Sequence, residues 1–172
     1  MTTATSRLND VDIAAVGELS AAVSGDPAKG ATTWASEVRW RGGFRSEATV
    51  RGFEPVPSDE PAGLGGTDTA ANPVEQLLGA LGNCLAVGYA ANATGLGIEL
   101  RDVRIEVEGD LDLQTFLGLA DGNAGFETIT ARVHLDADAD DEALEALHRK
   151  VTSTSPVGHT LQRAVPTAIE LA

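Results

Sequence analysis

The fold is decided by one stretch, residues 72–96, which reads NPVEQLLGALGNCLAVGYAANATGL. Asn72 is a favourable helix cap, and Pro73 suits the first helical position because its missing N–H has no partner to lose there. Glu75 follows in the first turn, where a carboxylate is favourable against the helix dipole. Leucines then recur at helical spacing as far as Leu85. We therefore predict a helix of about 20 residues, roughly 30 Å long.

The side chains of this predicted helix are mostly small. Glycine and alanine dominate its middle and end, and one of two glycines, Gly95 or Gly97, is predicted to terminate it. Small side chains let a neighbouring helix or sheet approach closely, which favours a position packed on several sides. The small residues are Gly79, Ala80, Gly82, Gly88, Ala90, Ala91 and Ala93.

Strand-like alternation appears on both sides of the helix, and it comes in pairs. Before the helix, residues 32–53 alternate around the turn sequence Arg41-Gly42-Gly43 and predict a β-hairpin, with a Pro- and Gly-rich loop at 55–66. After it, residues 98–113 and 126–135 predict two further strands. Because the strands pair in hairpins instead of alternating with helices, the predicted fold class is α+β with antiparallel sheets. The other predicted elements are helices at 9–23, from Asp140 or Asp141, and from Ser155 to Gln162, and a closing strand at 165–171.

The chain has the size and composition of one ordinary domain, with 172 residues and 42% apolar content, so we predict a single domain over residues 1–172. Its 12 Lys and Arg against 26 Asp and Glu give a net charge of −14, which argues against nucleic acid and membrane surfaces as partners. The single cysteine excludes an intrachain disulfide, and without an apolar leader a cytoplasmic location is expected. No metal-ligand spacing or nucleotide motif is present, so no cofactor or metal is expected.

Cys84 is the only soft nucleophile in the chain. A lone cysteine in an apolar helix is more often a buried core residue than a reactive one. A reactive thiolate needs a nearby cation or dipole, and because the local sequence supplies none, a cation must come from another segment. Glu75 and Ser155 have simpler interpretations, as a first-turn charge and as a helix cap. The hairpin offers three arginines, each of which is more simply a solvated edge residue: Arg39, Arg41 and Arg45.

Three segments together resemble the OsmC/Ohr family of thiol-dependent hydroperoxide peroxidases. The first runs from residue 65 through the Asn-Pro helix start to Cys84, the second covers residues 97–111, and the third is Ser155-Pro156-Val157. A cysteine eleven residues after the proline of the Asn-Pro start is the most specific of these features. The similarity extends from about residue 59 to the C-terminus, and residues 1–30, with the N-terminal helix, lie outside it.

The resemblance implies an α+β protomer, an intertwined homodimer and two active sites at the dimer interface. In the family's peroxidases a cysteine on the long helix attacks the peroxide O–O bond, becomes a sulfenic acid and then forms a disulfide with a second cysteine. An arginine and a glutamate hold its thiolate. The first cysteine corresponds to Cys84, and the arginine to Arg45, with Arg39 or Arg41 as alternatives.

This chain departs from the family pattern at two positions. The second cysteine corresponds to Ser155, so a sulfenic acid at Cys84 requires an external thiol reductant. The family's glutamate corresponds to Val74, and Glu75 comes one residue late, a turn of about 100° on a helix. We therefore predict that Cys84 is the nucleophile and that Arg45 is its thiolate partner. Glu75 is predicted to be the orienting carboxylate, and Ser155 the polar substitute for the resolving thiol.

Two functions fit these residues. The first is a one-cysteine, hydroperoxide-reducing or redox-stress protein that acts on a small apolar peroxide through Cys84. The alternative is a non-catalytic protein of the same fold that binds a small apolar ligand at the dimer interface. The exchanges at Val74 and Ser155 favour the alternative, because they remove two of the groups that the resemblance assigns to the chemistry.

Overall fold

The structure is a computed structural model that describes residues 7–171, and it divides the chain into two compact units. Residues 14–77 form the first unit, and residues up to 13 together with those from 78 onward form the second. The predicted α+β class, with antiparallel sheets and one long helix, is confirmed. The helices and strands are, in chain order, α1 (Ile13–Gly25), β1 (Glu37–Trp40), β2 (Ser46–Thr49), β3 (Val56–Ser58), α2 (Pro73–Leu96), β4 (Leu100–Leu111), α3 (Leu113–Phe116), β5 (Phe126–Ala137), α4 (Asp141–Thr152) and α5 (Pro156–Leu161).

The long helix α2 forms as its sequence predicts. It runs from Pro73 to Leu96, and Gly97 follows it with a φ of +74°, a left-handed conformation that suits glycine at a helix end. The predicted close packing is confirmed at Gly88, where an added Cβ would lie only 2.9 Å from a methyl group of Val151. Among the described residues, no helix has the length and apolar character needed to cross a membrane.

The sheet of the first unit contains one strand more than the sequence predicts. β1 and β2 form the predicted hairpin, and Gly42 and Gly43 in its turn both have positive φ. β3 then pairs with β2 inside the stretch predicted to be a loop, so that prediction is wrong over Val56–Ser58. β3 contains Pro57, which lacks a donor, but β3 lies at the edge of the sheet, where a missing N–H is tolerated.

The second unit is built on the β4–β5 pair. The two strands are antiparallel with Ile105 opposite Val133, and their apolar faces pack against the buried side chains of α2 and α4. Their other faces carry ion pairs such as Arg132 with Glu108. The buried core of this unit consists of Leu81, Leu85, Tyr89, Ala93, Ile98, Leu147 and Val151.

Three predicted elements differ from the structure: one strand ends early, one strand does not form and one helix begins late. The strand predicted to reach residue 113 ends at Leu111, because the Asp112 side chain accepts from the Gln114 N–H and starts the short helix α3. The closing strand predicted at 165–171 does not form, and Ile169 is 94% exposed there. Alternating apolar residues make a strand only when a neighbouring strand accepts its hydrogen bonds, and no strand of the described chain pairs with this segment.

The helix that begins late lies near the N-terminus, where it was predicted from residue 9 and begins instead at Ile13. Asn9 adopts a positive φ of 52° and uses its side chain to join distant parts of the second unit. Its amide donates to Thr94 and to the Ile98 carbonyl, and its carbonyl accepts from the Leu100 N–H, at 2.9–3.0 Å. Asn9 therefore joins the end of α2 to the start of β4.

Candidate thiol site

Cys84 and Ser155 come together in the second unit. The Cys84 sulfur lies 3.3 Å from the Ser155 hydroxyl oxygen, a hydrogen bond in which either group can be the donor. Cys84 is half-buried on α2, between the buried Leu81 and Leu85, whereas Ser155 is only 5% exposed. The two residues are 71 positions apart in sequence, so only the tertiary fold brings them into contact.

The Ser155 hydroxyl is held in place by the start of α5. Ser155 caps this helix, and its oxygen accepts from the Gly158 N–H at 3.1 Å, while Pro156 occupies the first helical turn. A hydroxyl has one proton to donate and two lone pairs. Because the Gly158 N–H uses a lone pair, the proton stays available for the sulfur of Cys84. Gly158 packs closely against this group, since an added Cβ would lie 3.0 Å from the Ser155 hydroxyl oxygen.

A cavity of about 340 Å³ opens beside this pair. Ser155 is the member of the pair that lines it, together with aliphatic side chains of α2, β5 and α5. Its size falls at the lower end of the range typical of small-molecule sites. The lining residues are Leu81, Leu85, Phe126, Glu127, Thr128, Ile129, Ala131, Thr152, Ser155, Gly158, Leu161 and Gln162.

Glu75 serves the start of α2. Its carboxylate accepts from the Asn72 N–H at 2.8 Å, and its own N–H donates to the Asn72 side chain at 2.9 Å. This reciprocal pair is a capping box, which satisfies two backbone donors that a helix start otherwise leaves free. Cys84 follows nine residues later, which is about two and a half helical turns, so on one straight helix the two side chains point to opposite faces.

The three hairpin arginines belong to the first unit and differ in their partners. Arg39 pairs with Glu37 at 2.7 Å, and Arg41 pairs with Glu47 at 2.8 Å. Arg45 donates instead to the Gly42 carbonyl, at 3.3 Å, and it has no carboxylate partner among residues 7–171.

A polar pocket of about 240 Å³ lies beside Arg45 in the first unit. Its wall combines the Arg41 and Arg45 guanidinium groups with hydroxyl side chains. The Arg45 guanidinium is therefore the hairpin cation best able to meet an added negative charge. The lining residues are Arg41, Arg45, Ser46, Glu47, Pro57, Ser58 and Thr69.

Sequence reasoning missed Asp59, which organises the loop before α2. Asp59 is 1% exposed and accepts five hydrogen bonds, from the Glu60 N–H and from the N–H and hydroxyl groups of Thr67 and Thr69. The Thr67 hydroxyl is the largest cause of a pKa for Asp59 well below its ordinary value, with further contributions from Thr69 and Glu60. Nothing in an acidic loop sequence distinguishes this carboxylate from its solvated neighbours.

Sequence reasoning also missed the pairing of Tyr89 with His148. Tyr89 is fully buried in the core of the second unit, and its hydroxyl lies 2.5 Å from the His148 Nδ1 atom, with the two rings stacked. Burial raises the pKa of Tyr89, so the phenol stays protonated, and the tautomer of His148 determines which of the two groups is the donor. This pair lies outside the lining of the cavity beside Ser155 and serves packing between α2 and α4.

The fold and the half-buried thiol define a class of protein, and a comparison with family models identifies it. The model described as OsmC-like protein matches residues 66–170, more than half of the chain. The chain therefore belongs to the OsmC-like family. No curated protein matches it.

Solved structures share the fold at low sequence identity. An OsmC-like protein from Mycoplasma pneumoniae is 17% identical with a TM-score of 0.67, over 76% of this chain and 88% of that one. An organic hydroperoxide resistance protein OsmC from Legionella pneumophila is 20% identical with a TM-score of 0.58, over 77% and 92%. An organic hydroperoxide resistance protein from Elizabethkingia anophelis, with thiocyanate bound, is 17% identical with a TM-score of 0.56, over 76% and 90%.

Proposed function

We propose that this chain is a one-cysteine redox-stress protein that reduces organic hydroperoxides through Cys84. The observation that carries the proposal is the 3.3 Å contact between the Cys84 sulfur and the hydroxyl of Ser155, which lines the adjacent cavity. Family membership and the organic hydroperoxide resistance proteins among the structural neighbours support the same class of chemistry.

The reaction requires one thiolate and two equivalents of an external thiol. The Cys84 thiolate attacks the terminal oxygen of the hydroperoxide, so an S–O bond forms as the O–O bond breaks. The sulfur loses two electrons and becomes a sulfenic acid, while the peroxide takes up a proton and leaves as an alcohol. One external thiol then displaces water to give a mixed disulfide, and a second restores Cys84 and departs as a symmetrical disulfide.

Ser155 and Arg45 have separate roles in this proposal. Ser155 donates its free proton to the Cys84 thiolate, and a hydrogen bond to a charged group is about twice as strong as a neutral one. Arg45 is kept as the proposed thiolate partner, since Arg39 and Arg41 are already paired with carboxylates and Arg45 is not. The predicted orienting role of Glu75 stays a prediction, because its carboxylate is engaged in capping α2.

The predicted homodimer forms part of the proposal. Residues 76–96 of α2 contain no charged residue, yet Val87 is 70% exposed and lies in one stripe with the exposed Ala80 and Asn83. An uncharged, partly apolar helix face suits contact with a second copy of the chain. Light scattering after size exclusion should give a dimer for the wild-type protein and a monomer for Val87→Arg. A monomeric wild-type protein would remove the dimer from the proposal.

Two organisational predictions are kept as proposals beside the dimer. We propose that residues 1–172 behave as one domain although residues 1–30 lie outside the family resemblance. The Asn9 side-chain contacts with Thr94, Ile98 and Leu100 support this for the N-terminal end, since Asn9 lies outside the resemblance and yet packs within the second unit. We also propose a cytoplasmic location, which suits a single free thiol.

The peroxidase proposal is tested by turnover of cumene hydroperoxide with dithiothreitol as the external thiol. We expect Cys84→Ser to abolish turnover, and dimedone to label Cys84 in the wild-type protein after peroxide treatment. Arg45→Met should lower turnover strongly, whereas Arg51→Met, which removes an exposed arginine of the same unit, should not. Turnover that survives Cys84→Ser removes the enzymatic function.

The alternative function is a non-catalytic protein that binds a small apolar ligand in the same cavity. The observation that favours it is the lining, where Ser155 reaches the cavity wall and the other contacts include five aliphatic side chains and one aromatic ring. The two functions separate in one experiment. An apolar ligand that binds and protects the protein against unfolding, without peroxide turnover or dimedone labelling, supports the alternative.

A further inference from the structure

The polar pocket beside Arg45 carries one positive charge that no carboxylate of the described chain neutralises. Arg41 and Glu47 both line this pocket and pair with each other at 2.8 Å, so their charges offset. Arg45 donates its Nε–H to the Gly42 carbonyl at 3.3 Å, and the two terminal nitrogens of its exposed guanidinium have no partner among residues 7–171. In a chain with a net charge of −14, this guanidinium is a local point of attraction for an anion.

Ser46 adds a hydroxyl group to the lining that is free to donate. It is half-buried, and its hydroxyl forms no hydrogen bond with the described residues. Ser46 lies directly opposite Ser58 in the β2–β3 pair, and Ser58 lines the same pocket. Directly opposed residues of an antiparallel pair project from the same face of the sheet, with Cβ atoms about 4.5–5.5 Å apart. The two serine side chains are therefore close enough to contact one small ligand.

The hydroxyl groups of Ser58 and Thr69, which also lines the pocket, differ from that of Ser46 because their protons are already used. Ser58 is 8% exposed and donates to the Ala71 carbonyl at 3.2 Å. Thr69 donates to the Asp59 carboxylate at 2.9 Å. Hydrogen bonds, led by that of Thr67, hold the pKa of Asp59 well below its ordinary value, so this carboxylate stays ionised and only accepts. Each hydroxyl oxygen keeps lone pairs, so these two groups can only accept from a ligand.

We propose that this pocket binds inorganic phosphate that keeps a proton. The phosphate oxygens accept from Arg45 and Ser46, and a P–OH group of the same ion donates to a hydroxyl oxygen on the other side of the lining. Sulfate, which is fully ionised at neutral pH, has no proton for these acceptors and also meets the Glu47 carboxylate, so it binds less well. The same holds for a phosphate monoester, whose second pKa of about 6 leaves it without a proton above neutral pH. This site goes beyond the proposed function and needs no step of the peroxide chemistry.

The test titrates the full chain with phosphate, sulfate and methyl phosphate in turn, followed by amide NMR slightly above neutral pH. The ionic strength is held constant with chloride, because screening alone changes the attraction of an anion. We expect the amide signals of Ser46, Ser58 and Thr69 to shift and saturate with phosphate. The dissociation constant should be roughly 1 mM, since water screens an exposed guanidinium. Sulfate and methyl phosphate should bind about three- to tenfold more weakly, because each lacks the P–OH donor.

Two pairs of variants locate the binding. Arg45→Met should weaken phosphate binding at least about tenfold, whereas Arg39→Met, which removes an exposed arginine of the same hairpin outside the pocket lining, should leave it unchanged. Ser46→Ala should weaken it about two- to fivefold, and Ser36→Ala, outside the lining, should not.

Three results would overturn the proposal. They are signals that shift with phosphate without saturating, equal phosphate binding by Arg45→Met and Arg39→Met, and sulfate or methyl phosphate binding as tightly as phosphate. Because the titration contains no peroxide, failure of the proposed peroxidase function would leave its result unaffected.

Discussion

α2 and α5 begin in the same way, with a polar cap followed by proline, yet the two starts serve different ends. At α2, Asn72 and Glu75 satisfy each other's backbone N–H groups, so the cap is closed on itself. At α5, Ser155 accepts one backbone N–H, and its hydroxyl also contacts the sulfur of Cys84. The capping residue thus predicts where a helix begins. Whether that residue can also take part in a reaction depends on whether it keeps a proton that the capping hydrogen bond does not use.

The largest loss of stability is expected from the loop that supports the α2 start, through Asp59→Asn. One oxygen of Asp59 accepts four hydrogen bonds from Thr67 and Thr69, and the other accepts the Glu60 N–H. An asparagine of the same shape must direct an NH₂ group at one of these donor sets. Urea unfolding should show a larger loss of unfolding free energy for Asp59→Asn than for the removal of either helix cap.

The same variant tests the pH dependence of stability. Because the pKa of folded Asp59 lies below its ordinary value, the folded state binds fewer protons than the unfolded state in acid. The stabilisation of the folded state by ionised Asp59 is therefore complete above about pH 4, near the pKa of an unfolded aspartate. It is lost progressively as the pH falls below that value. The loss of unfolding free energy at acid pH should become smaller in Asp59→Asn. It should stay as in the wild type in Asp68→Asn, which changes a neighbouring acid. An acid limb that is the same in both variants would contradict this role of Asp59.

The next effect concerns the open cap at Ser155. Ser155→Ala removes the hydrogen bond to the Cys84 thiolate, and bonds to charged groups contribute about 1.5–3 kcal/mol. We expect peroxide turnover to fall about 10- to 100-fold, a range set by that energy. Ser153→Ala, which removes an exposed hydroxyl two residues earlier, should leave turnover unchanged. Equal turnover in the two variants would show that the Ser155 proton has no part in the chemistry.

A second change at the same position sharpens the comparison. Ser155→Cys places a thiol where the hydroxyl now lies 3.3 Å from the Cys84 sulfur. Peroxide should then convert Cys84 into a sulfenic acid that condenses with the new thiol into a disulfide, and water is released. Intact mass spectrometry should record the loss of two hydrogens, and no free thiol should remain. One added oxygen atom with one free thiol left would mean that the pair cannot close, and two free thiols would mean that peroxide does not oxidise Cys84.

The smallest effect is expected at the closed cap. Asn72→Ala should lower the free energy of unfolding by about 1 kcal/mol, as for other helix caps. Turnover per folded molecule should stay the same, because Asn72 contacts Glu75 and Glu60 and not the thiol pair. A fall in turnover comparable to that of Ser155→Ala would erase the distinction between the two helix starts.

Most of the elements predicted from local chemistry formed. The Asn72-Pro73 start, the Gly42-Gly43 turn and the alternation in β4 and β5 each depend on a few neighbouring residues, so the sequence is enough to predict them. The closing strand at 165–171 failed because alternation does not show whether a partner strand exists. β3 was missed because a proline such as Pro57 is typical of a loop unless the strand is known to lie at the edge of a sheet.

The candidate site was predictable only in its residue types. The resemblance pointed to Cys84 and Ser155, but the 3.3 Å contact between them depends on the packing of segments 71 residues apart. The choice of Arg45 over its two neighbours depends on which carboxylates the other arginines meet. The role of Asp59 as a five-fold acceptor depends on a loop geometry that composition does not reveal.

The Asn9 side chain determines how far the protein can be trimmed. It satisfies the Ile98 carbonyl and the Leu100 N–H, two backbone groups that belong to the family-matched portion of the chain. A recombinant version that starts at the matched portion would expose both groups to solvent. It would thereby destabilise the connection between the end of α2 and the start of β4. Expression vectors should therefore retain the leading residues at least from Asn9, and affinity tags are better joined at the far end, beyond the exposed residues 165–171.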